Sequence, residues 1–217
     1  DSYWFACCSG DGGLKTSVGY CASSSASGAE ITAFGARALQ SNTGGCNTGI
    51  GGLTLQSGTG NCNTAAGHNS LRNITSGGCN LGVGYYALKT TNGSGTTGSF
   101  NVALGYSALS ENTTGSFNVA SGANTLASNT SGSRNSAFGN QSLRENTTGG
   151  NNVGFGFSSL YSNTTASDNT AIGTFSGSSL TTGARNTFLG SYAGAYFSTE
   201  YSSAYNNTKG LNSVLIG

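Results

Sequence analysis

The sequence predicts an all-β fold: a single parallel β-solenoid, or β-roll, of about twelve rungs, each roughly 16 to 17 residues long. Three observations carry that expectation. A unit close to Asn101–Phe117, NVALGYSALSENTTGSF, returns through most of the chain. Stacking its copies lines up columns of like residues. The composition also suits short strands and turns and opposes helices, with 37 glycines, no proline, no methionine and 7% charged residues in 217.

The repeat becomes explicit when aligned on one glycine. The numbers of Gly19, Gly35, Gly51, Gly67, Gly84, Gly105, Gly122, Gly139, Gly156, Gly173, Gly190 and Gly217 differ in turn by 16, 16, 16, 17, 21, 17, 17, 17, 17, 17 and 27. Counting the residue four before each glycine as position 1, the unit reads Asn, a β-branched residue, Ala or Gly, an apolar residue, and Gly. Two variable residues, a small residue and Leu follow, and the unit closes on two polar residues and Asn-Thr-Thr-Gly. A period this short without helical spacing is one turn of a solenoid. Twelve rungs about 4.8 Å apart make a rod on the order of 58 Å long.

Each column then acquires a role. Position 1 holds Asn47, Asn63, Asn80, Asn101, Asn118, Asn135, Asn152, Asn169 and Asn186, whose amides are placed to bond along the axis as a ladder. Position 9 holds leucine from Leu39 to Leu160, an apolar spine. Strand alternation puts positions 2 and 4 on one side and positions 1 and 3 on the other. The expectation is that position 4 (Val18, Phe34, Ile50, Val83, Leu104, Phe138, Phe155, Ile172 and Leu189) faces inward and forms, with position 9, the two walls of one narrow core. The glycine at position 5 is the bend between strands. Two insertions, near Thr90 to Gly95 and around Ser198 to Thr208, are expected as loops on one face.

Residues 1–14, DSYWFACCSGDGGL, lie outside the repeat and read as an N-terminal cap or donor arm on the 15–217 solenoid. At the other end Ser213 to Gly217 begins a twelfth rung. An apolar rung open on one side predicts strand addition between subunits, with Tyr3, Trp4 and Phe5 meeting Val214, Leu215 and Ile216 of the next copy. A head-to-tail contact of that kind does not close on itself and builds a fibre. The missing Met at position 1 and the lack of a signal-like leader suggest a processed or excised chain.

Cys7, Cys8, Cys21, Cys46, Cys62 and Cys79 all fall in the first part of the chain, with none beyond Cys79. Cys46, Cys62 and Cys79 share the column just before the Asn, at a rung spacing a disulfide accepts. One pair can close inside that column, and the third member then needs Cys7, Cys8 or Cys21. An even count suits disulfides and an oxidising, extracellular setting, and the pairing stays open. No C-x-x-C pair exists and His68, the single histidine, lies outside the column, so no metal and no cofactor are expected.

Eight N-x-S/T sequons occur, at Asn73, Asn92, Asn112, Asn129, Asn140, Asn146, Asn163 and Asn206. Asn112, Asn129, Asn146 and Asn163 recur at position 12, where Asn-Thr-Thr-Gly is also simply a good turn. Glycans on these sites are compatible with exposed turns, and dense Ser and Thr would also admit O-linked sugar. A sugar coat would keep so weakly charged a rod soluble.

A catalytic centre is not expected. Glu111 and Glu145 share a column, roughly 10 Å apart, and both neighbour turns as solvated carboxylates do. The net charge of +1 gives nucleic acid or an anionic membrane little to attract, and no apolar run approaches the roughly 20 residues of a membrane span.

Units such as NVALGYSALSENTTGSF and NSAFGNQSLRENTTGGN resemble the tandem N-T-A-Φ-G-x-x-A-L-x-x-N-T-T-G repeats of bacterial and phage surface and tail-fibre proteins. Their N-x-A-Φ-G part is similar to the left-handed parallel β-roll heads of trimeric autotransporter adhesins, and a left-handed winding is what that resemblance implies. The chain departs from the adhesin pattern in its longer repeat, its cysteines, and the absence of a coiled-coil stalk or membrane anchor. Repeats, sequons and an open terminal rung together look more like a subunit of glycan-coated extracellular fibrils.

The leading expectation is therefore a non-enzymatic, secreted structural subunit that polymerises with copies of itself and carries covalent glycans. A carbohydrate- or surface-binding adhesin is the alternative, with Tyr85, Tyr86, Tyr106, Phe157 and Tyr192 as aromatic platforms. A third is ice binding by the position 2 column of Thr16, Thr32, Thr48 and Thr64, although its continuation as Leu81, Val102 and Val119 reads as inward packing.

Overall fold

The structure, a computed structural model, describes residues 13–90, 95–195 and 214–216. The expected donor arm through residue 12, the tip of the first insertion and the whole of the second lie outside them. Among the described residues there is no helix. Twelve short strands, from Lys15–Val18 to Val214–Ile216, form one parallel sheet whose spatial order follows the chain. Each strand pairs with the strand one repeat on, as in Val102↔Val119 and Ala103↔Ala120. The register survives both long steps, with Leu81↔Val102 across one and Thr187↔Val214 across the other. A second ladder, Ser41–Asn42 against Ser57–Gly58, stands in the early rungs.

A flat turn this short must reverse direction several times, and it does so without proline. It uses left-handed corners: φ is 52° at Ser107 and Leu109 and 59° at Phe100, and equivalent residues repeat these values along the rod. Each such corner costs a non-glycine residue about 1–2 kcal/mol locally. Bonds between rungs hold it: Ser107 N–H donates to Tyr85 O at 2.9 Å, Leu109 to Thr125 O at 3.0 Å and Phe100 to Gly78 O at 3.1 Å. Position 5 is stricter. Gly105 has φ 136°, and a Cβ there would stand 2.5 Å from the carbonyl oxygen of Gly122 in the next rung.

The core reverses one sequence expectation. Position 3, as Ala33, Ala65, Ala103, Ala120, Ala137 and Ala171, is fully buried together with the position 9 leucines. Position 4 points outward: Phe34, Ile50, Val83, Leu104, Phe138, Phe155, Ile172 and Leu189 are all exposed. The alternation holds, but its inner side is the one carrying the asparagines and the small residues. Burying the Asn column brings positions 1 and 3 inside together, and the space left between the strand and the leucine spine admits only Ala or Gly. The position 2 threonines are therefore on the outer side too, which corrects their reading as inward packing.

Position 1 forms the expected ladder. Nδ2 of Asn118 donates to Oδ1 of Asn101 at 3.1 Å and to Gly132 O at 2.9 Å, while its backbone N–H reaches the same Oδ1 at 3.0 Å. The pattern repeats from Asn80 to Asn169, so each amide ties two rungs together and pins the end of its own turn. In rungs ten and eleven position 9 is Gly177 and Gly194 instead of leucine. Phe188, fully buried at position 3, fills that space: a Cβ on either glycine would lie within 2.8 Å of its ring.

Candidate functional surfaces

Four surfaces of the rod bear candidate residues. The first is the turn edge. Asn112, Asn129, Asn146 and Asn163 are fully buried, not displayed. Nδ2 of Asn129 donates to Oδ1 of Asn112 at 2.9 Å and to Gly132 O at 2.9 Å; Asn146 and Asn163 repeat this on the next rungs. Asn129, Asn146 and Asn163 thus spend both amide hydrogens inside the turn, and Asn112 spends one on Gly115 O at 2.9 Å, so a glycan on these nitrogens would displace those bonds. At four of the eight sequons the Asn is buried, where an exposed turn is expected. They are a second asparagine ladder, and it stops where position 12 becomes Leu180, leaving Oδ1 of Asn163 without a partner. Asn140 is exposed, and Asn73 is half-buried with Nδ2 donating to Thr90 O at 2.7 Å. Asn92 and Asn206 lie outside the described residues.

The second surface is the cysteine column. Cys46, Cys62 and Cys79 are exposed thiols on successive rungs, and Cys21 is a half-buried thiol at position 7. Each of the three column members sits at a left-handed corner, with φ 57°, 58° and 56°. Cys46 Sγ donates to the Glu30 carboxylate at 3.4 Å, and this contact raises the thiol above its ordinary value. Cys7 and Cys8 lie outside the described residues.

The third is an aromatic stripe beyond the glycine bend. His68, Tyr85 and Tyr106 stack on successive rungs with centroids 5.7 Å apart. Tyr86 lies beside Tyr85, and Lys89 Nζ sits 3.8 Å from its ring centre. A hydrogen bond between the two hydroxyls raises the Tyr85 phenol and lowers that of Tyr86, and the Lys89 charge adds to the second effect. Farther along, Phe157, Phe175 and Tyr192 continue the stripe, and Phe157, Phe175, Tyr161 and Gln141 line an open groove of about 440 Å³.

The fourth consists of the outer face of the sheet and its two edges. Val214 and Ile216 are exposed, Leu215 half-buried, and their strand pairs on one side only among the described residues. Strand Lys15–Val18 likewise has a single partner among them. Tyr3, Trp4 and Phe5 lie outside the described residues.

No family model matches the sequence. No curated protein and no solved structure is significantly similar to it either.

The outward apolar face escaped sequence reasoning because alternation alone does not say which side is buried. A signal was present: position 3 is Ala or Gly in nine successive rungs, from Ala33 to Ala171, with Phe188 next, while position 4 wanders from Phe to Ala and Ser. Tight size restriction marks a packed interior, and tolerance marks an outside.

Proposed function

We propose that this chain is a non-enzymatic structural subunit of an extracellular fibre, built by copies of itself joining end to end. The observation that carries this reading is the pair of sheet edges. Among the described residues Lys15–Val18 and Val214–Ile216 are the two opposite edges of one parallel sheet, so the second can receive the first in the register every internal rung uses. Such a junction repeats what the rod already does between each pair of neighbouring rungs. Covalent glycans fit the reading at Asn140, whose side chain is free to carry one, and disulfides among the six cysteines fit an oxidising exterior. Among the described residues, no helix is long and apolar enough to cross a membrane.

In preceding rungs the position 2 N–H points forward, as Thr170 N–H does to Asn186 O at 2.8 Å. Val214 occupies that position, so Val214→Pro removes a forward donor and leaves the pairing behind it intact. Electron microscopy of the native chain should show filaments that the Val214→Pro variant fails to form. Filaments of undiminished length in that variant would refute the end-to-end junction.

The aromatic stripe favours a second reading, a carbohydrate-binding surface, because the groove beside Phe157 combines ring edges with the Gln141 amide and serine hydroxyls. Glycan-array binding lost on Phe157→Ala would support it over the fibre. An ice-binding role would show as thermal hysteresis, carried by the outward threonines of position 2.

A further inference from the structure

The outer face of the sheet carries two columns, positions 2 and 4, over twelve rungs, and none of these 24 positions holds a charged residue. Phe155 is 57% exposed and Ile50 50%. Position 4 is apolar in every rung but that of Ser121, beside a position 2 column of Thr, Ser, Val and Leu, and an uncharged patch of this length is of the size that marks an interaction surface. At about 58 Å by 10 Å it offers on the order of 600 Å² per copy, so two copies meeting on it bury about 1,200 Å², the lower bound of a specific interface.

We propose that two copies of this chain pair face to face across this strip, with their rods antiparallel and related by a two-fold axis along the strand direction. Full overlap then sets rung n against rung 13 − n, and each column meets its own counterpart. Side-chain sizes fit that register. In position 4 the two small residues oppose large ones: Ala66 of rung four meets Phe155 of rung nine, and Ser121 of rung seven meets Leu104 of rung six. In position 2, Leu81 of rung five meets Ser136 of rung eight. Charge fits as well. The column just before position 1 flanks the strip; there Glu30 of rung two faces Arg185 of rung eleven, both exposed, and symmetry makes the pair twice. It also brings Phe100 and Phe117, stacked on each other at 5.0 Å, onto the axis beside the same two residues of the second copy.

Parallel pairing lacks the charge match. A two-fold axis along the rod sets position 2 against position 4 of the same rung; small meets large there too, as where Thr32 meets Phe34 and Ser136 meets Phe138, so charge decides between the two. Glu30 then faces Ala36 and Arg185 faces Ser191, with no opposite charge. This pairing is lateral and independent of the end-to-end junction, and the two combine into a two-stranded filament.

Sedimentation velocity of the full chain carrying Val214→Pro, in which end-to-end growth is blocked, tests it. The expected species has twice the 21.5 kDa chain mass and the length of a single rod, whereas an end-to-end dimer would be doubled in length. Phe155→Asp and, separately, Ile172→Lys should weaken pairing more than about tenfold while leaving the strand circular dichroism and melting unchanged, because both side chains are already outside the fold. Glu30→Arg or Arg185→Glu alone should weaken it about five- to tenfold, and the two together should restore it to within about twofold. A chain that stays monomeric or forms trimers, pairing unaffected by both face variants, or a charge swap without restoration would each overturn the proposal.

Discussion

Two stretches of the same rod solve the same turn differently. In rungs two and three, the shorter ones, position 12 is Asn42 and Gly58, and the turn closes through a single threonine, Thr43 or Thr59, before the next glycine. Here a short second ladder of strand forms, and the column before position 1 carries Cys46 and Cys62. In rungs six to nine the unit is longer by a single residue and position 12 is always Asn. The extra residue lets three N–H groups converge on one carbonyl: Thr113, Thr114 and Gly115 all donate to Thr130 O, at 2.9, 3.0 and 3.4 Å. Asn42 is buried at the shorter turn too, but its Nδ2 finds no partner there; at the longer turn the amide reaches the equivalent Asn of the neighbouring rung, and a second asparagine ladder runs beside the first. One added residue per rung thus replaces an irregular edge with a self-satisfied polar column.

The two stretches should respond differently to the same class of substitution. The largest effect belongs to the ladder they share. Asn135→Ala removes the acceptor shared by the Asn152 N–H and the Asn152 amide and one of the two amide donors to Gly149 O, all in the interior, and should cost about 4 kcal/mol or more, read as collapse of local amide-exchange protection in rungs seven to nine. Phe188→Ala empties the space vacated by Gly177 and Gly194 and should cost about 4 kcal/mol in thermal unfolding. The comparison is sharpest at position 12. Asn146→Ala breaks bonds to Asn129, Gly149 and Asn163 and should cost about 3 kcal/mol, against about 2 kcal/mol for Asn42→Ala, whose Oδ1 accepts from Gly44 N–H and Asn47 Nδ2 but whose Nδ2 lacks a partner. Equal losses at the two sites would deny the second ladder its role. The smallest effect is chemical: in the reduced chain Glu30→Gln should lower the Cys46 thiol and speed its alkylation at pH 8 about two- to fivefold, with Cys79 as the internal control.

Much of the architecture was legible in the residues. The glycine alignment set the parallel register through both long steps, and nine consecutive asparagines at position 1 marked a ladder that the bonds from Asn47 to Asn186 trace. Two features were not. Apolar patterning points the position 4 column inward; yet the Asn amides complete their bonds only with the next Asn and the carbonyls of their own turn, and forming that ladder fixes which side turns in. The Asn-Thr-Thr-Gly turn was read as displayed because sequons and turns belong on surfaces. Its Asn instead supplies the turn's own missing partners, a choice that depends on the equivalent Asn of the neighbouring rung and has no local signature. The surfaces were legible only as columns: stacking His68 on Tyr85 on Tyr106 follows from the period, while the Glu30 contact to Cys46 depends on corner geometry.

The central claim is that a thin interior of Asn, Ala and Leu carries the rod and that the larger apolar column stands outside it. Two adjacent residues of one strand test it most directly: Ala137, fully buried, and Phe138, 38% exposed. Thermal unfolding of Ala137→Lys and Phe138→Lys should separate them, the first losing the cooperative transition and the second melting within a few degrees of the native chain. The opposite order, with Phe138→Lys unfolded and Ala137→Lys intact, would turn the rod inside out and contradict the account.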